Sequence, residues 1–170
     1  MLTTVHTGAG VGAATDLLAY PKAKSIAIIG SGKQAGAQLD AVCNVREIQQ
    51  AWVYSPNSEH AQGFAQEMSG VGPISKNVKV VSASAKSLKD ADIVCMATNS
   101  TTPVITFEHL KTGAHVNAID SFQPTMQEID SETICNALVI VDSCESELIE
   151  TGNIATPIKQ GLITPRHIHA

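Results

Sequence analysis

The sequence predicts an α/β fold, a Rossmann-type doubly wound parallel sheet of about six strands with helices on both faces. Short apolar runs alternate with segments suited to helices, which is typical of strand–helix–strand units in a parallel sheet. The composition is 44% hydrophobic but only 4% aromatic, an aliphatic-rich profile that suits a sheet covered by helices. With 170 residues, the chain has the size of one domain and can bury a sizeable core. We therefore expect residues 1–170 to form a single domain.

The first elements are a helix and a strand–turn–helix unit. Residues 1–20 are expected to form an N-terminal helical segment. Its glycines at positions 8, 10 and 12 are poor helix formers, so they predict close backbone packing, with a loose N-terminal arm as the alternative. The first strand and the helix that follows it are expected between Ser25 and Val45.

The later elements continue the alternation. Five more strands, each a short apolar run, are expected at Trp52–Tyr54, Val78–Val81, Ile93–Ala97, His115–Ile119 and Leu138–Asp142. Helices are expected at Glu59–Met68, Ala85–Lys89 and Met126–Ala137, with a helical turn at Phe107–Leu110. Ser58 is the candidate N-cap of the first of these helices. The fourth strand is apolar throughout, as expected of a parallel strand that is buried on both faces.

The turn after the first strand carries the clearest chemical signal. The apolar run Ile26–Ile29 stops at Gly30, and Gly32 and Ala35 follow with the spacing G-x-G-x-x-A. A strand, a tight glycine turn and a helix together place a dinucleotide pyrophosphate on the helix N-terminus, although an ordinary structural turn is the alternative. The predicted dinucleotide contacts of this turn are Gly30, Ser31, Gly32, Lys33, Gln34 and Ala35.

The end of the second strand bears on the choice of cofactor. An acidic residue that binds the ribose 2′-hydroxyl of NAD is expected there, but Tyr54–Ser58 contains no Asp or Glu. Since a carboxylate would repel the 2′-phosphate, its absence permits NADP, and Ser55 and Asn57 can donate hydrogen bonds. No arginine supplies the usual charged clamp. NADP is therefore slightly favoured over NAD, and an ordinary polar turn explains Asn57 equally well.

The remaining strand ends supply further candidates, because ligands of open parallel sheets bind outside the carboxyl ends of the strands. The predicted cofactor contacts are Thr98, Asn99 and Ser100 after the fourth strand and Ala118 at the fifth. Asp120 follows the fifth strand, where the nicotinamide end should lie. It is a candidate proton donor, or an acceptor for a cationic substrate group. Capping of a turn together with Ser121 is the alternative.

Charge and composition narrow the class of partner. The formal net charge is −5 and basic residues are scattered singly, which argues against nucleic acid or an anionic membrane as the main partner. The N-terminus lacks the pattern of a signal peptide, and no apolar run approaches membrane-spanning length. A cytoplasmic protein is therefore expected.

Cysteines and histidines do not form a recognisable metal site. Cys43 and Cys95 lie in apolar patterns and are expected to be buried, reduced thiols. His167 and His169 alternate near the chain end, but two ligands without a third nearby make a poor site. We therefore expect no metal.

Motifs in a fixed order carry a family resemblance. The segments are V-H-T-G-A at 5–9, I-I-G-S-G-K-Q-A at 28–35, V-R-E-I at 45–48, A-D-I-V at 91–94, A-T-N-S at 97–100, G-A-H-V-N-A-I at 113–119, M-Q-E-I-D at 126–130 and V-D-S at 141–143. Together they resemble the NAD(P)-binding domain of the ornithine cyclodeaminase/mu-crystallin family. The resemblance covers nearly the whole chain and is far more specific than the glycine turn alone.

The resemblance implies a function. Members of this family are oxidoreductases or cyclodeaminases of small amino and cyclic imino acids, in which a hydride passes between nicotinamide and the α-carbon of the substrate. They are about twice as long as this chain and are homodimers through a substrate domain, to which residues 150–170 would lead back. The chain is therefore expected to be the cofactor-binding domain of such an enzyme, binding cofactor without turnover by itself. A non-catalytic NAD(P)H-binding module and a scaffold that binds nothing are the alternatives.

The sequence departs from the family pattern at three positions. His6 occupies the place of an arginine that would grip the substrate carboxylate with two hydrogen bonds, which an imidazole cannot copy. Phe122 stands where some members have a catalytic aspartate. Asp120 replaces a glycine and adds a carboxylate. Asp120 and His6 are thus the local candidates for catalytic contact with substrate.

Overall fold

A computed structural model describes residues 2–119 and 123–170. The chain divides into two compact units. Among the described residues, the first unit comprises 2–97 and 110–119, and the second comprises 98–109 and 123–170. The single domain expected for residues 1–170 stays a prediction. No helix in the described ranges is long and apolar enough to cross a membrane.

The first unit is built on a five-stranded parallel sheet with the strand order β3-β2-β1-β4-β5. The strands are β1 (Ser25–Ile29), β2 (Gln50–Tyr54), β3 (Val78–Val80), β4 (Ile93–Met96) and β5 (His115–Ala118). Every residue of β1 and β4 is buried, in keeping with their continuous apolar sequences and central positions. The predicted α/β class and parallel sheet are confirmed.

Four helices belong to this unit. They are α1 (Leu2–Leu18), α2 (Lys33–Val45), α3 (Ser58–Met68) and α4 (Ser84–Leu88). The chain steps outward from β1 through β2 to β3 and then returns to β4 on the other side of β1. Because parallel crossovers are right-handed, α2 and α3 lie on one face of the sheet and α4 on the other. This is the doubly wound arrangement that the sequence predicts.

Small residues bring α1 and α2 close together. A Cβ atom at Gly8 would lie 3.1 Å from the carbonyl oxygen of Ala37, and one at Gly12 would lie 3.4 Å from the Cβ of Ala41. The close packing predicted from these glycines is therefore present, and its partner is the helix that follows the glycine turn. The N-terminal segment is a 17-residue helix and not a loose arm.

The C-terminal end of α1 is held by Arg46, which directly follows α2. Its Nη2 donates to the carbonyls of Thr15, Asp16 and Ala19 at 2.9–3.0 Å. Its Nε donates to the carbonyl of Tyr20 at 3.3 Å, and its Nη1 forms an ion pair with Asp16 at 2.9 Å. The last carbonyls of a helix largely lack intrahelical partners, and here one buried guanidinium adds donors to this end of α1.

Within residues 98–109 and 123–170, the second unit contains three helices and a separate two-stranded sheet. Its elements are a 3₁₀ turn (Phe107–His109), α5 (Ser131–Asn136), β6 (Val139–Ile140), α6 (Cys144–Glu150), α7 (Gly152–Lys159), a 3₁₀ turn (Pro165–His167) and β7 (Ile168–His169). Strand β6 pairs in parallel with β7. The expectation of a sixth strand in the main sheet is therefore wrong. A physical reason is visible in its side chains: Leu138 is 75% exposed and Ile140 is 42% exposed, whereas a strand inside a parallel sheet is buried on both faces.

The predicted helix over Met126–Ala137 is wrong in its first half. Helix α5 begins only after Asp130, whose Oδ1 accepts a hydrogen bond from the amide of Thr133 at 2.9 Å. The preceding residues are held in an extended arrangement: the carbonyl of Glu128 accepts from Val104 at 2.8 Å, and Ile129 bridges to Ile105. The N-cap and this pairing together set the start of the helix.

The start of α7 packs closely on the segment before α5. A Cβ atom at Gly152 would lie 2.3 Å from the carbonyl oxygen of Met126, so this position has no room for a side chain. The Oδ1 atom of Asn153 accepts from the amides of Glu128 and Ile129 at 2.8 and 3.1 Å. Residues 126–129 are thus fixed by backbone contacts from α7.

Candidate functional site

Four strands of the first unit end at the same level. Tyr54, Ile29, Met96 and Ala118 are register partners across the neighbouring pairs β2–β1, β1–β4 and β4–β5. The residues that follow these positions therefore lie along one edge of the sheet. This edge contains the point between β1 and β4 at which the strand order reverses, where ligands of open α/β sheets bind.

Gly30 makes the turn at this reversal point. It has φ +116°, a conformation that side chains disfavour, and its amide donates to the carbonyl of Tyr54 at 2.8 Å. A Cβ atom on Gly30 would lie 2.1 Å from the carbonyl oxygen of Ala97. The Ala97 amide in turn donates to the carbonyl of Ile29 at 2.8 Å. The backbones of three strand ends thus meet at one glycine.

Helix α2 begins directly after this turn with an open N-terminus. Gly32 is the N-cap residue, and no side chain in the described part of the chain caps this end. The amides of Lys33, Gln34 and Ala35 belong to the first turn, where a helix has no acceptors of its own. No acidic residue stands in this turn, and a Cβ atom on Gly32 would meet nothing within 4 Å. Free amides, a lysine and open space fit the negative charge of a pyrophosphate.

The side chains of three further residues of the turn have different surroundings. Ala35 is fully buried, so its side chain packs inside the protein. Gln34 is half-buried, and its Nε2 lies 3.5 Å from the hydroxyl of Thr7 on α1. Ser31 is half-buried as well. Their contact with a cofactor stays a prediction.

At the end of β2, Asn57 and not Ser58 caps helix α3. The Oδ1 of Asn57 accepts hydrogen bonds from the amides of Glu59 and His60 at 3.0 and 3.1 Å. The predicted Ser58 cap is therefore wrong, because Ser58 is already the first residue of the helix. Capping uses the oxygen of Asn57, and its contact with the adenosine ribose stays a prediction. Ser55 is half-buried at the strand end.

The polar loop after β4 belongs to the second unit. The hydroxyl of Thr98 donates to the carboxyl group of the fully buried Glu128 and accepts from the amide of Ser100 at 3.2 Å. Ser100 Oγ donates to the carbonyl of Thr102 at 2.6 Å, while Asn99 is exposed. The Thr98 and Ser100 side chains thus have partners within their own unit, and their predicted roles toward the cofactor stay predictions.

The candidate catalytic residues are described only in part. His6 is an exposed residue of α1, one position before Thr7. Asp120 and Phe122 lie outside the described residues. Ala118, the last residue of β5, is exposed at the sheet edge beside the other strand ends.

Gln38 and Arg46 were not predicted as important residues. Gln38 is fully buried within α2, and its Nε2 donates to the carbonyl of Met96 at 2.9 Å. The sequence does contain a signal for Gln38, because it occupies the apolar stripe formed by Ala35, Leu39 and Val42. A polar residue on that stripe must find a partner inside the protein.

The cysteines agree with the expectation for buried, reduced thiols. Cys43 and Cys95 are buried and free. Burial raises the pKa of both thiols to about 12, and the carboxylate of Asp40 adds to the effect at Cys43. Thiolate is the reactive form, so these two thiols stay protonated and unreactive across the usual pH range.

Thiol labelling of the folded protein is expected to separate the four cysteines. Between about pH 7 and pH 9, the half-buried Cys135 and Cys144 should react first, and Cys43 and Cys95 only after unfolding in urea. Mass spectrometry of the labelled peptides measures the order. Labelling of Cys95 as fast as that of Cys144 in the folded protein would contradict the burial described above.

Comparison with known proteins shows which family this chain matches and which proteins it resembles. The model of the ornithine cyclodeaminase/mu-crystallin family matches residues 1–170. A Delta(1)-pyrroline-2-carboxylate reductase from Bacillus cereus is 41% identical over 170 residues, which are 99% of this chain and 51% of that protein. The chain thus spans about half the length of the curated relatives it matches.

Solved structures of similar proteins share the fold. The Thermococcus litoralis Delta(1)-pyrroline-2-carboxylate reductase in complex with NADH and L-proline matches with a TM-score of 0.95 and 40% identity, covering 99% of this chain and 52% of that one. An archaeal alanine dehydrogenase dimer with bound NAD matches with a TM-score of 0.90 and 31% identity, covering 99% and 51%.

Proposed function

Because the chain belongs to the ornithine cyclodeaminase/mu-crystallin family, we propose that it is the dinucleotide-binding half of an NAD(P)-dependent reductase of small imino acids. One observation carries the proposal. The open N-terminus of α2 and the Gly30 turn lie where the strand order reverses, in a chain 40% identical to a reductase whose structure holds NADH and L-proline. Amino-acid dehydrogenation is the reverse direction of the same reaction class.

In this proposal, the first turn of α2 holds the pyrophosphate. The amides of Lys33, Gln34 and Ala35 donate to the phosphate oxygens, and Gly32 leaves room for the phosphates to approach. The positive charge of Lys33 adds electrostatic attraction in a chain whose net charge is −5. When bound, the nicotinamide supplies the hydride chemistry, while this chain supplies position and electrostatics.

The edge of the sheet orients the rest of the dinucleotide in this proposal. Ser55 and Asn57 at the end of β2 meet the adenosine ribose, and Thr98, Asn99 and Ala118 lie toward the nicotinamide side. His6 and Asp120 are the local candidates for polar contact with substrate. Ser31 and Ser100 complete the proposed contacts.

Cyclic imino acids are the proposed substrate class of the whole protein. Two relatives favour that class: the reductases from Bacillus cereus and Thermococcus litoralis are both named for pyrroline-2-carboxylate. A homodimer is proposed for the whole protein as well, since the archaeal alanine dehydrogenase relative is described as a dimer.

A turnover assay on the full-length gene product tests this function. NADH or NADPH oxidation should depend on a cyclic imino acid such as pyrroline-2-carboxylate. The 170-residue chain alone should bind the cofactor without turnover. Background oxidation together with intact NADPH binding would instead support a non-catalytic dinucleotide-binding module. An unchanged melting temperature with either cofactor would favour a scaffold that binds neither.

For the cofactor, we propose that both NADH and NADPH bind, with NADPH slightly favoured. Tyr54–Ser58 offers hydroxyl and amide groups to a 2′-phosphate and no carboxylate to repel it. The structures of two relatives hold NADH and NAD, so binding of the dinucleotide without a 2′-phosphate is expected too.

An Asn57→Asp variant is expected to shift this preference toward NADH. Aspartate keeps the capping oxygen that accepts from Glu59 and His60, so the melting temperature should stay nearly unchanged. The new carboxylate can accept from ribose hydroxyls but repels a 2′-phosphate, which should raise the ratio of the NADPH Kd to the NADH Kd about tenfold. Calorimetric titration with each cofactor measures the ratio. An unchanged ratio would place the 2′ position away from Asn57.

A further inference from the structure

Gln38 is a polar side chain on the otherwise apolar face of α2. It is 0% exposed, and its neighbours on this face are Ala35, Leu39 and Val42. A methionine would fill a similar volume there without the desolvation of an amide group. The packing of α2 on the sheet therefore does not by itself require glutamine.

The amide of Gln38 ties α2 to the strand against which the glycine turn rests. Its Nε2 donates to the carbonyl of Met96, the last residue of β4, at 2.9 Å. The next residue, Ala97, presents the carbonyl oxygen that a Cβ atom on Gly30 would approach to 2.1 Å. One strand end thus contacts both the glycine turn and the second turn of the helix.

These two contacts fix the direction of α2. The helix is attached covalently to the glycine turn at Lys33 and by a hydrogen bond at Gln38, five residues later. At a rise of about 1.5 Å per residue, the two points lie about 7.5 Å apart along the axis. A helix held at both points cannot tilt or rotate without breaking one of them, so its first-turn amides keep their direction.

The other polar atom of the Gln38 side chain, Oε1, lacks the hydrogen bond that Nε2 makes. Its Oε1 is buried and has no hydrogen-bond partner within residues 2–119 and 123–170. Burial of an acceptor without a partner opposes folding. A residue that lowers stability in this way points to a role in holding the geometry of a site.

We propose that Gln38 is a positioning residue for the dinucleotide. It holds α2 on β4 so that the amides of Lys33, Gln34 and Ala35 point at the pyrophosphate. This inference rests on the proposed function, since it assigns Gln38 a part in the same cofactor site. Gln38 itself does not touch the cofactor, because it is fully buried beneath the helix.

A Gln38→Met variant of the 170-residue chain tests the proposal. Its melting temperature should equal or exceed that of the wild type. The Kd for NADH, measured by fluorescence titration, should rise about tenfold, because part of the binding free energy is then needed to align α2. Leu39→Met is the matched control, because Leu39 is also 0% exposed on α2 and has no polar group. It should leave the Kd within about twofold of the wild type.

A Gln38→Glu variant adds a pH profile that a purely structural role would not produce. The neutral carboxyl group can donate to the Met96 carbonyl as the amide does, but the ionised group cannot donate and repels that oxygen. At a temperature where circular dichroism shows the variant folded, its Kd for NADH should rise about tenfold between pH 5.5 and pH 9. The wild-type Kd should change by less than about twofold over that range.

The outcomes separate this inference from the proposed function. Tight wild-type binding with an unchanged Kd for Gln38→Met, or the same pH profile for Gln38→Glu and wild type, would overturn the positioning role alone. A wild-type chain that binds neither NADH nor NADPH would overturn both. A Gln38→Met variant that loses melting temperature without losing affinity would show a structural role and also overturn the proposal.

Discussion

A Gly30→Ala variant is expected to lose about 3–5 kcal/mol of unfolding free energy and most of its affinity for NADH. Two effects add. Alanine disfavours the φ of +116° at this position, and its Cβ would lie 2.1 Å from the Ala97 carbonyl oxygen, so the ends of β1 and β4 must move apart. A loss of this size is a large share of the stability of an ordinary domain. The melting temperature should fall by about 10 °C.

Gly32 should behave in the opposite way. A Gly32→Ser variant adds a side-chain cap to α2 in a position where nothing lies within 4 Å, so the melting temperature should stay equal or rise slightly. The same hydroxyl accepts from the first-turn amides and fills the space that we propose for the pyrophosphate. The Kd for NADH should therefore rise more than about tenfold. Thermal unfolding and NADH titration of both variants measure these effects.

Gly10→Ala serves as the control for both glycine variants, because a Cβ atom there meets nothing within 4 Å and lies in the middle of α1. Alanine should stabilise that helix by about 0.5–1 kcal/mol without changing the Kd. Wild-type stability in Gly30→Ala, or wild-type affinity in Gly32→Ser, would show that the turn does not have the role described above.

The second large effect is expected for an Arg46→Met variant, which should lose about 3–5 kcal/mol of unfolding free energy. The guanidinium donates to four carbonyls at and just beyond the end of α1, those of Thr15, Asp16, Ala19 and Tyr20. Methionine fills much of the volume but donates to none of them. The carbonyls of Thr15 and Tyr20 keep a backbone donor, whereas those of Asp16 and Ala19 lose the guanidinium. Because α1 packs on α2, loosening of α1 also removes packing from α2.

Two matched variants separate the hydrogen bonds from the charge. Arg46→Lys keeps the charge but cannot reach four carbonyls with a planar fork, so it should recover less than half of the loss. Asp16→Asn removes the ion pair with a carboxylate whose side chain is 62% exposed, and it should cost less than about 1 kcal/mol. Urea unfolding measures all three. A smaller loss for Arg46→Met than for Asp16→Asn would show that the ion pair, and not the carbonyl cluster, matters.

The parts of the fold that could be predicted are those in which short-range pattern and burial agree. β1 and β4 are continuous apolar runs, and both are buried central strands. β6 is also apolar, but the pairing of Val139–Ile140 with Ile168–His169 depends on residues 29 positions away, which no local pattern contains. The N-caps Asn57 and Asp130 were missed for a similar reason. Each competes with other polar residues nearby, and only the helix geometry decides between them.

The candidate site likewise combines features set by adjacent residues with features set by distant ones. The glycine turn and the start of α2 could be predicted from spacing, because they depend on adjacent residues from Gly30 to Ala35. The partner of Thr98 is Glu128, thirty residues further along the chain, so its hydrogen bond could not be predicted from the motif around Thr98. The cluster of carbonyls around Arg46 likewise forms only when α1 returns to the end of α2. Side-chain partners that come from distant segments are visible only in the folded chain.

The central claim is that a dinucleotide binds at the N-terminus of α2. A titration of the isotopically labelled 170-residue chain with NADH, followed by the backbone amide signals, tests it most directly. We expect saturable shifts concentrated at residues 30–35, and in Gly32→Ser the same shifts should need an NADH concentration more than about tenfold higher. Saturable shifts elsewhere with none at residues 30–35, or no saturable shift at all, would contradict the claim.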